Sequence, residues 1–321
     1  MKAAQWWQQE WDLCLSDALA HINEAGVRDN PVDRLRDLCN ALNKAWNAYY
    51  GYRKTHSQLT KSEKEASHRG ATPPDNQAFE QLLLTGLGDE GKVGFCRSSA
   101  LRSLADFTPQ VMNHATLRRR DYHPANISER LRREAAEEHR ELKSADERYA
   151  KDPTDGQLRQ ALLKKAAHLL YVIRSNTEHG EKTPKGPDLE KAKRDREVAG
   201  TACAAIEQIF AWLFIEPETR LAVYGTLLPG RVNASMLAEL EGSWQDAVVK
   251  GEIEERGGLP IFRWCIPGAE VHAKVFTSPA LPNHLQRIDR SEGANYRRIL
   301  VPARTPDGII VASIYAGNPL T

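Results

Sequence analysis

The spacing of apolar residues changes period once along this chain, at Glu216-Pro217-Glu218. Before that point apolar side chains recur at steps of three and four, the repeat that lines one face of an α-helix. After it they alternate with polar residues, the repeat of a half-buried strand. A segment with one repeat cannot bury its apolar face in the other conformation. The sequence is therefore read as an α+β multidomain protein, with an all-α domain over residues 1–216 and a small, largely β domain over residues 219–321. With 321 residues, 41% of them apolar, the chain is long enough to bury a core in each.

In the helical part, Trp7, Trp11, Cys14, Ala18, Ile22 and Ala25 predict a helix over residues 3–25. Asn30-Pro31 restarts the chain, and Leu35, Leu38, Leu42, Ala45 and Tyr49 carry a second helix to about residue 57. Residues 62–77 are charged and small and contain Pro73-Pro74, and glycines follow at 86, 88, 91 and 94. That composition predicts a loop-rich insertion reaching residue 100. Helical character returns over Ile127–Tyr149, then over 157–178 with the stripe Leu162, Ala166, Leu169 and Ile173, and over 188–214 with Leu189, Ala199, Cys203, Ile206, Phe210 and Leu213.

Beyond residue 219, strands are expected at 220–225, 246–254, 270–277, 296–303 and 309–315, with turns at Gly257-Gly258, Pro267-Gly268 and Asp307-Gly308. One short helix is expected near 280–288.

Composition excludes several classes. No run of 18 apolar residues is present and the N-terminus lacks the charged-then-apolar form of a signal peptide, so no membrane span and a cytoplasmic location are expected. The five cysteines are scattered without a Cys-x-x-Cys pair, which argues against a disulfide framework and a structural zinc site. No cofactor and no metal are expected. A formal charge of +1 gives no global field that selects nucleic acid. The local cluster Arg118-Arg119-Arg120 with Arg132-Arg133 is read first as solvated surface, because Glu134, Glu137 and Glu138 follow it. The tryptophans at 6, 7 and 11 are read as core, His168, inside the helix near Arg174, as a packed or solvent-facing histidine before a cleft residue, and His272 and His284 have no partner at metal-ligand spacing.

Two stretches carry chemistry. Tyr224-Gly225-Thr226-Leu227-Leu228-Pro229-Gly230 is an apolar strand running into a glycine turn, a form that points several backbone N–H groups into one concavity where a carboxylate or phosphate can sit. Asp289-Arg290-Ser291-Glu292-Gly293 places a carboxylate between an amphipathic segment and the strand that opens at Tyr296-Arg297-Arg298. In this order the segments resemble the gamma-glutamylcyclotransferase-like family, a small β-barrel of mixed topology. The resemblance implies that an α-amine attacks its own γ-carbonyl to release an amine and 5-oxoproline. It also implies Glu292 as the acid and base, and a metal-free pocket for a γ-glutamyl-type ligand formed by Tyr224, Gly225, Thr226, Leu227, Gly230 and Tyr296. Thr226 departs from the serine common in that family and keeps the hydroxyl. The same barrel without activity, Glu292 being a turn residue, is the competing reading.

The other chemical signal is Arg174-Ser175-Asn176-Thr177-Glu178-His179-Gly180 at the end of a helix. Five residues turn a helix by about 500°, so the Arg174 and His179 side chains converge only if the helix ends between them. Gly180 supplies such an end. The stretch resembles the Arg-x4-6-His motif of the HEPN (higher eukaryote and prokaryote nucleotide-binding) superfamily. That resemblance implies an N-terminal HEPN-like helical bundle, metal-independent cleavage of RNA (tRNA among the candidates), and a homodimer that brings two motifs together. Histidine suits the proton transfers and arginine the charge on the phosphorane. Ser175 stands where many members have asparagine. The bland alternative pairs Arg174 with Glu178 at i+4 and leaves His179 at the helix end.

The leading expectation is thus a HEPN ribonuclease effector of stress or defence, controlled by a barrel that senses or modifies a γ-glutamyl-type ligand, with a regulatory protein as a further partner. The alternatives are a cyclotransferase whose helical half dimerises or binds a partner, and a binding module inactive at both sites.

Overall fold

The computed structural model describes residues 6–8, 11–68, 74–119, 127–178, 187–256 and 258–318. Packing divides the chain into one unit of Ala20–Leu213 and another that joins Met1–Leu19 to Phe214–Thr321.

The first unit is helical. Helix α1 (Leu13–Ala25) runs into it, followed by α2 (Pro31–Thr55), α3 (Lys61–His68), α4 (Asp75–Gln81), a π-turn at Leu82–Gly86, α5 (Gly88–Arg97) and α6 (Ser99–Ala105). Short helices α7 (His114–Arg118) and α8 (Glu129–Ala135) precede the long α9 (Glu137–Lys151), α10 (Gly156–Glu178) and α11 (Leu189–Leu213). The expected stripes are the buried ones. Leu35, Leu38, Leu42, Ala45 and Tyr49 of α2 and Leu162, Ala166, Leu169 and Ile173 of α10 all lie in the core. Leu189, at the first position of α11, is instead 78% exposed, and Trp11, Cys14 and Ile22 of the first expected stripe are half-buried.

The described residues of this range, 62–68 and 74–100, are mostly helical and do not form a loop-rich insertion. Helix α3 starts at a capping box, in which the Thr60 N–H and hydroxyl both donate to Glu63 at 2.8 Å. The Arg53 guanidinium clamps the same carboxylate with two bonds of 2.8 and 2.7 Å, holding Glu63 below its ordinary pKa although burial opposes this. Further along, the glycines serve packing rather than turning. A Cβ on Gly94 would lie 2.0 Å from Cζ2 of Trp212, and one on Gly91 would lie 3.3 Å from its Cβ. These residues are small because the Trp212 side chain occupies the space beside α5, and tertiary packing outweighs their weak helix propensity. Two other boundaries differ from expectation. Residues 127–149 form two helices that break at Ala136 (φ −97°, ψ 14°). The expected helix over 3–25 is, among described residues, a 3-10 turn at Trp6–Gln8 and then α1, whose Leu15 N–H is capped by Asp12 at 2.8 Å.

The second unit is a barrel. Strands β1 (Arg220–Val223), β2 (Ser243–Arg256), β3 (Leu259–Arg263), β4 (Ala269–Thr277), β5 (Tyr296–Thr305) and β6 (Gly308–Gly317) lie in the order β3-β2-β4-β1-β6-β5. The pairing of β2 with β5 at Val248↔Arg304 and Val249↔Ala303 closes five of them on themselves, with β3 paired to the far end of β2. Strand alternation sorts the core into two clusters. Ala222, Val275 and Ile314 pack inside the barrel, and their chain neighbours Leu221, Phe276 and Tyr315 pack outside it against α13 (Leu281–Glu292). A four-residue helix, α12 (Ser235–Ala238), adds Leu237 to the outer cluster. In the same unit Trp7 is fully buried and meets Phe214 edge-on at 5.7 Å, a core role for that tryptophan. Three barrel elements depart from expectation: β3 and α12 were not anticipated, and α13 runs four residues further, so that Glu292 is its last residue.

Candidate functional site

The end of α13 is set by Gly293, whose φ of 73° and ψ of −171° lie in a region essentially closed to residues with a Cβ. Its N–H closes the helix on the Asp289 carbonyl at 3.2 Å, and the chain then turns into β5. Glu292 is thereby held at the helix terminus, facing a cavity of about 170 Å³. The walls come from β1 through Ala222 and Val223 and from four further elements. The loop after β1 supplies Tyr224 to Leu227, β3 supplies Leu259 and Pro260, β5 supplies Tyr296 and β6 supplies Tyr315.

Among the described residues Glu292 has no hydrogen bond and no ion pair. Burial alone raises its pKa above the ordinary carboxylate value. Such a group holds a proton more readily than a solvated glutamate and releases it nearer neutrality, the property a proton-transfer catalyst needs.

Three tyrosines surround this carboxylate, and each hydroxyl has an acceptor elsewhere. Tyr224 donates to the Tyr315 carbonyl at 2.9 Å and itself accepts the Phe262 N–H at 3.1 Å. Tyr296 donates to the Pro260 carbonyl at 3.1 Å. Tyr315 donates to Oδ1 of Asp289 at 2.7 Å. Both backbone contacts with β3 fasten that strand over the cavity. All three phenols are pushed above their ordinary pKa, chiefly by burial; the bond to Asp289 adds to this at Tyr315, and the negative charge on Glu292 adds to it at all three.

The loop after β1 adds Gly225, Thr226 and Leu227 to the same cavity. Among the described residues the N–H groups of Gly225, Thr226 and Leu227 have no acceptor. The loop that holds them is rigidified by Asn233, whose N–H donates to the Thr226 carbonyl at 3.0 Å and whose amide donates to the Thr226 hydroxyl at 3.1 Å. That leaves the Thr226 O–H free to donate. A concave row of N–H groups beside a hydroxyl suits a carboxylate. The cavity thus joins Tyr224, Gly225, Thr226, Leu227, Glu292 and Tyr296. Gly230 is not among its walls; it takes a positive φ of 78° in the turn that follows. Sequence reading missed Tyr315, Pro260 and Asn233. Tyr315 had one available signal, its place at the end of the strand expected over 309–315.

Arg174 is in a different setting. Its guanidinium lies 3.0 Å from Glu178 and 3.3 Å from Asp75, and over the rings of Trp46 and Tyr171 at 5.5 and 5.7 Å. Two carboxylates and two aromatic faces engage it, so it presents no free cation to a phosphate. His179 lies outside the described residues. Asn176 of the same stretch is buried and spans to the α7 segment, donating to the Met112 carbonyl at 2.9 Å and accepting from His114 N–H at 3.3 Å. His168 meets Glu80 at 3.2 Å. In the arginine cluster, Arg133 pairs with Glu129, and its neighbour Arg130 with Glu134, on the same helix. Among the described residues no group of three His, Cys, Asp or Glu is arranged to hold a metal ion, and no helix is long and apolar enough to cross a membrane.

Residues 221–320 match the family model described as gamma-glutamyl cyclotransferase, AIG2-like. The C-terminal domain is of this type, and the match does not extend into the helical unit. Among solved structures, the chain is similar to YkqA from Bacillus subtilis, at 25% identity over 31% of this chain and 36% of that one, with a TM-score of 0.27. It is similar also to the uncharacterised protein PH0828 from Pyrococcus horikoshii, at 22% identity over 31% of this chain and 77% of that one, with a TM-score of 0.26. An AIG2-like protein from Mus musculus is 15% identical over 32% of this chain and 80% of that one, with a TM-score of 0.27. The chain therefore spans about a third of the length of the first of these. No curated protein matches it.

Proposed function

We propose that the C-terminal domain is a cyclotransferase acting on a γ-glutamyl group. One observation carries the reading: a desolvated Glu292 without a bond lines the same cavity as Gly225, Thr226 and Leu227, whose N–H groups have no acceptor among the described residues. In this scheme those N–H groups and the Thr226 hydroxyl hold the α-carboxylate of the substrate. Folding of the glutamyl chain then brings the α-amine to its own γ-carbonyl, and the cavity supplies the rate through proximity. Glu292 takes a proton from the α-ammonium. The freed amine forms a C–N bond to the γ-carbon, the original amide C–N bond breaks, and Glu292 returns the proton to the departing amine. The products are 5-oxoproline and a free amine.

The helical half, residues 1–216 in the sequence division, is assigned to dimerisation or to binding a partner, with the barrel over 219–321 doing the chemistry. The RNA-cleaving reading through Arg174 and His179 has less behind it, because the Arg174 guanidinium is already engaged by Asp75 and Glu178.

The test is release of 5-oxoproline, followed by mass spectrometry, from a γ-glutamyl alkylamine, γ-glutamyl-ε-lysine and glutathione. Wild type is expected to turn over at least one of them, and Glu292→Gln to lose about 10²- to 10⁴-fold. Equal rates in the two proteins would refute the role of Glu292. No release from any substrate would favour a binding module.

A further inference from the structure

Each of the three hydroxyls around Glu292 is directed away from it, and they differ in what directs them. Tyr224 and Tyr296 donate to backbone carbonyls, those of Tyr315 and Pro260. Tyr315 alone donates to a side chain, Oδ1 of Asp289, at 2.7 Å. Asp289 is itself fixed by Arg298, which grips both of its oxygens at 3.0 and 3.2 Å. Asp289 also lies three residues before Glu292 on α13, and residues so spaced are neighbours on one helix face. The Tyr315 hydroxyl thus sits one helical turn from a carboxylate that has no bond of its own.

We propose that Asp289 is a positioning residue for this site: by accepting the Tyr315 hydroxyl it keeps that donor off Glu292 and leaves the catalytic carboxylate unbonded. The role rests on Glu292 being the acid and base of the cyclisation. A donor on Glu292 would favour its charged form and weaken it as a base. The ionisable groups that feel the charge of Glu292 are Tyr224 just after β1, Tyr296 from β5 and Tyr315 from β6, and Asp289 with its partner Arg298 lies one turn before it on α13 and beside that helix. Strand β3 contributes only Leu259 and Pro260 to the cavity wall. Of these groups, only the Asp289 carboxylate holds a nearby donor that a single substitution would set free.

The experiment reads Glu292 directly and needs no substrate. Full-length protein is labelled with [δ-¹³C]glutamate, the Glu292 signal is assigned by its absence in Glu292→Gln, and its titration midpoint is measured. Asp289→Ala should lower that midpoint by about one pH unit, the effect of a single hydrogen bond to a carboxylate. Asp289→Asn removes the charge but keeps an acceptor, so its midpoint should stay close to wild type. With Tyr315→Phe already present, Asp289→Ala should have no effect. An unchanged midpoint in Asp289→Ala, an equal fall in Asp289→Asn, or a fall that persists without the Tyr315 hydroxyl would each overturn the proposal. Tyr315→Phe alone covers the case in which Asp289→Ala does not fold. It should leave Glu292 unmoved, and a raised midpoint would mean that Tyr315 already serves Glu292. If the shifts occur while 5-oxoproline is never released, the cyclisation reading fails and the role of Asp289 at Glu292 stands.

Discussion

Replacing Gly94 by alanine should destabilise the helical unit, against the ordinary rule for helices. In an exposed helix interior alanine is favoured over glycine by about 1 kcal/mol. At Gly94 the added methyl would stand 2.0 Å from Cζ2, 2.2 Å from Cε2 and 2.7 Å from Cη2 of Trp212. These are atoms of a rigid ring within the same unit, so relief requires the indole or the helix to move. Overpacking of this kind costs about 1–3 kcal/mol, and contacts this short belong at the upper end. After the propensity gain, a net loss of about 2 kcal/mol is expected. Gly51 in α2 and Gly200 in α11 provide the control, because a methyl there would meet nothing within 4 Å. Both should become more stable on replacement, by up to about 1 kcal/mol. Urea unfolding of the full-length protein, followed by helical circular dichroism, reads all three midpoints. Combining Gly94→Ala with Trp212→Ala should remove most of the penalty. A Gly94→Ala protein that is stabilised like Gly51→Ala would refute the packing of Trp212 against α5.

Two pH effects follow from buried groups. Burial raises the pKa of Glu292, so its neutral form stabilises the fold below the ordinary carboxylate pKa, and that contribution is lost as pH rises through the folded value. Glu292→Gln should therefore melt at a higher temperature than wild type at pH 8 and at the same temperature at pH 4; a lower melting temperature at pH 8 would contradict desolvation of the carboxylate. His139 has the opposite sign. It is buried with Nδ1 accepting the Val111 N–H at 2.7 Å and Nε2 donating to the Ala105 carbonyl at 3.0 Å, and burial depresses its pKa. Stability is thus present above the unfolded value of 6.5 and declines as pH falls below it. The imidazole resonance of His139, followed by NMR, should not titrate near 6.5.

The parts legible in the sequence were those in which each residue's state follows from its near neighbours. Helical stripes such as Leu162, Ala166, Leu169 and Ile173 report one buried face directly, and the β-branched and aromatic residues in 296–303 and 309–315 report strands. The Tyr-Gly-Thr-Leu and Asp-x-x-Glu-Gly segments were legible for a different reason. Their chemistry is carried by short contiguous stretches, and the C-terminal domain has the fold that they imply. The 62–100 stretch was misread because glycine has two uses with one spelling. It can break a helix, or it can let a large side chain approach one. Only the position of Trp212, more than a hundred residues away, shows that Gly91 and Gly94 belong to the second use. The Thr60-x-x-Glu63 capping box was the local signal that could have recovered α3.

The sequence by itself determined the change of repeat near residue 216, the positions of most helices and strands, and the two segments that carry Glu292 and the glycine turn. These are properties of local spacing, and local spacing is what a linear text records. Tertiary structure alone decided that β3 lies across the cavity, that Tyr224 and Tyr296 fasten it through the Pro260 and Phe262 backbone, and that the Tyr315 hydroxyl goes to Asp289 rather than to Glu292. Each of those bonds joins residues far apart in the chain, and the barrel's closure, which no single segment encodes, brings them within hydrogen-bond reach.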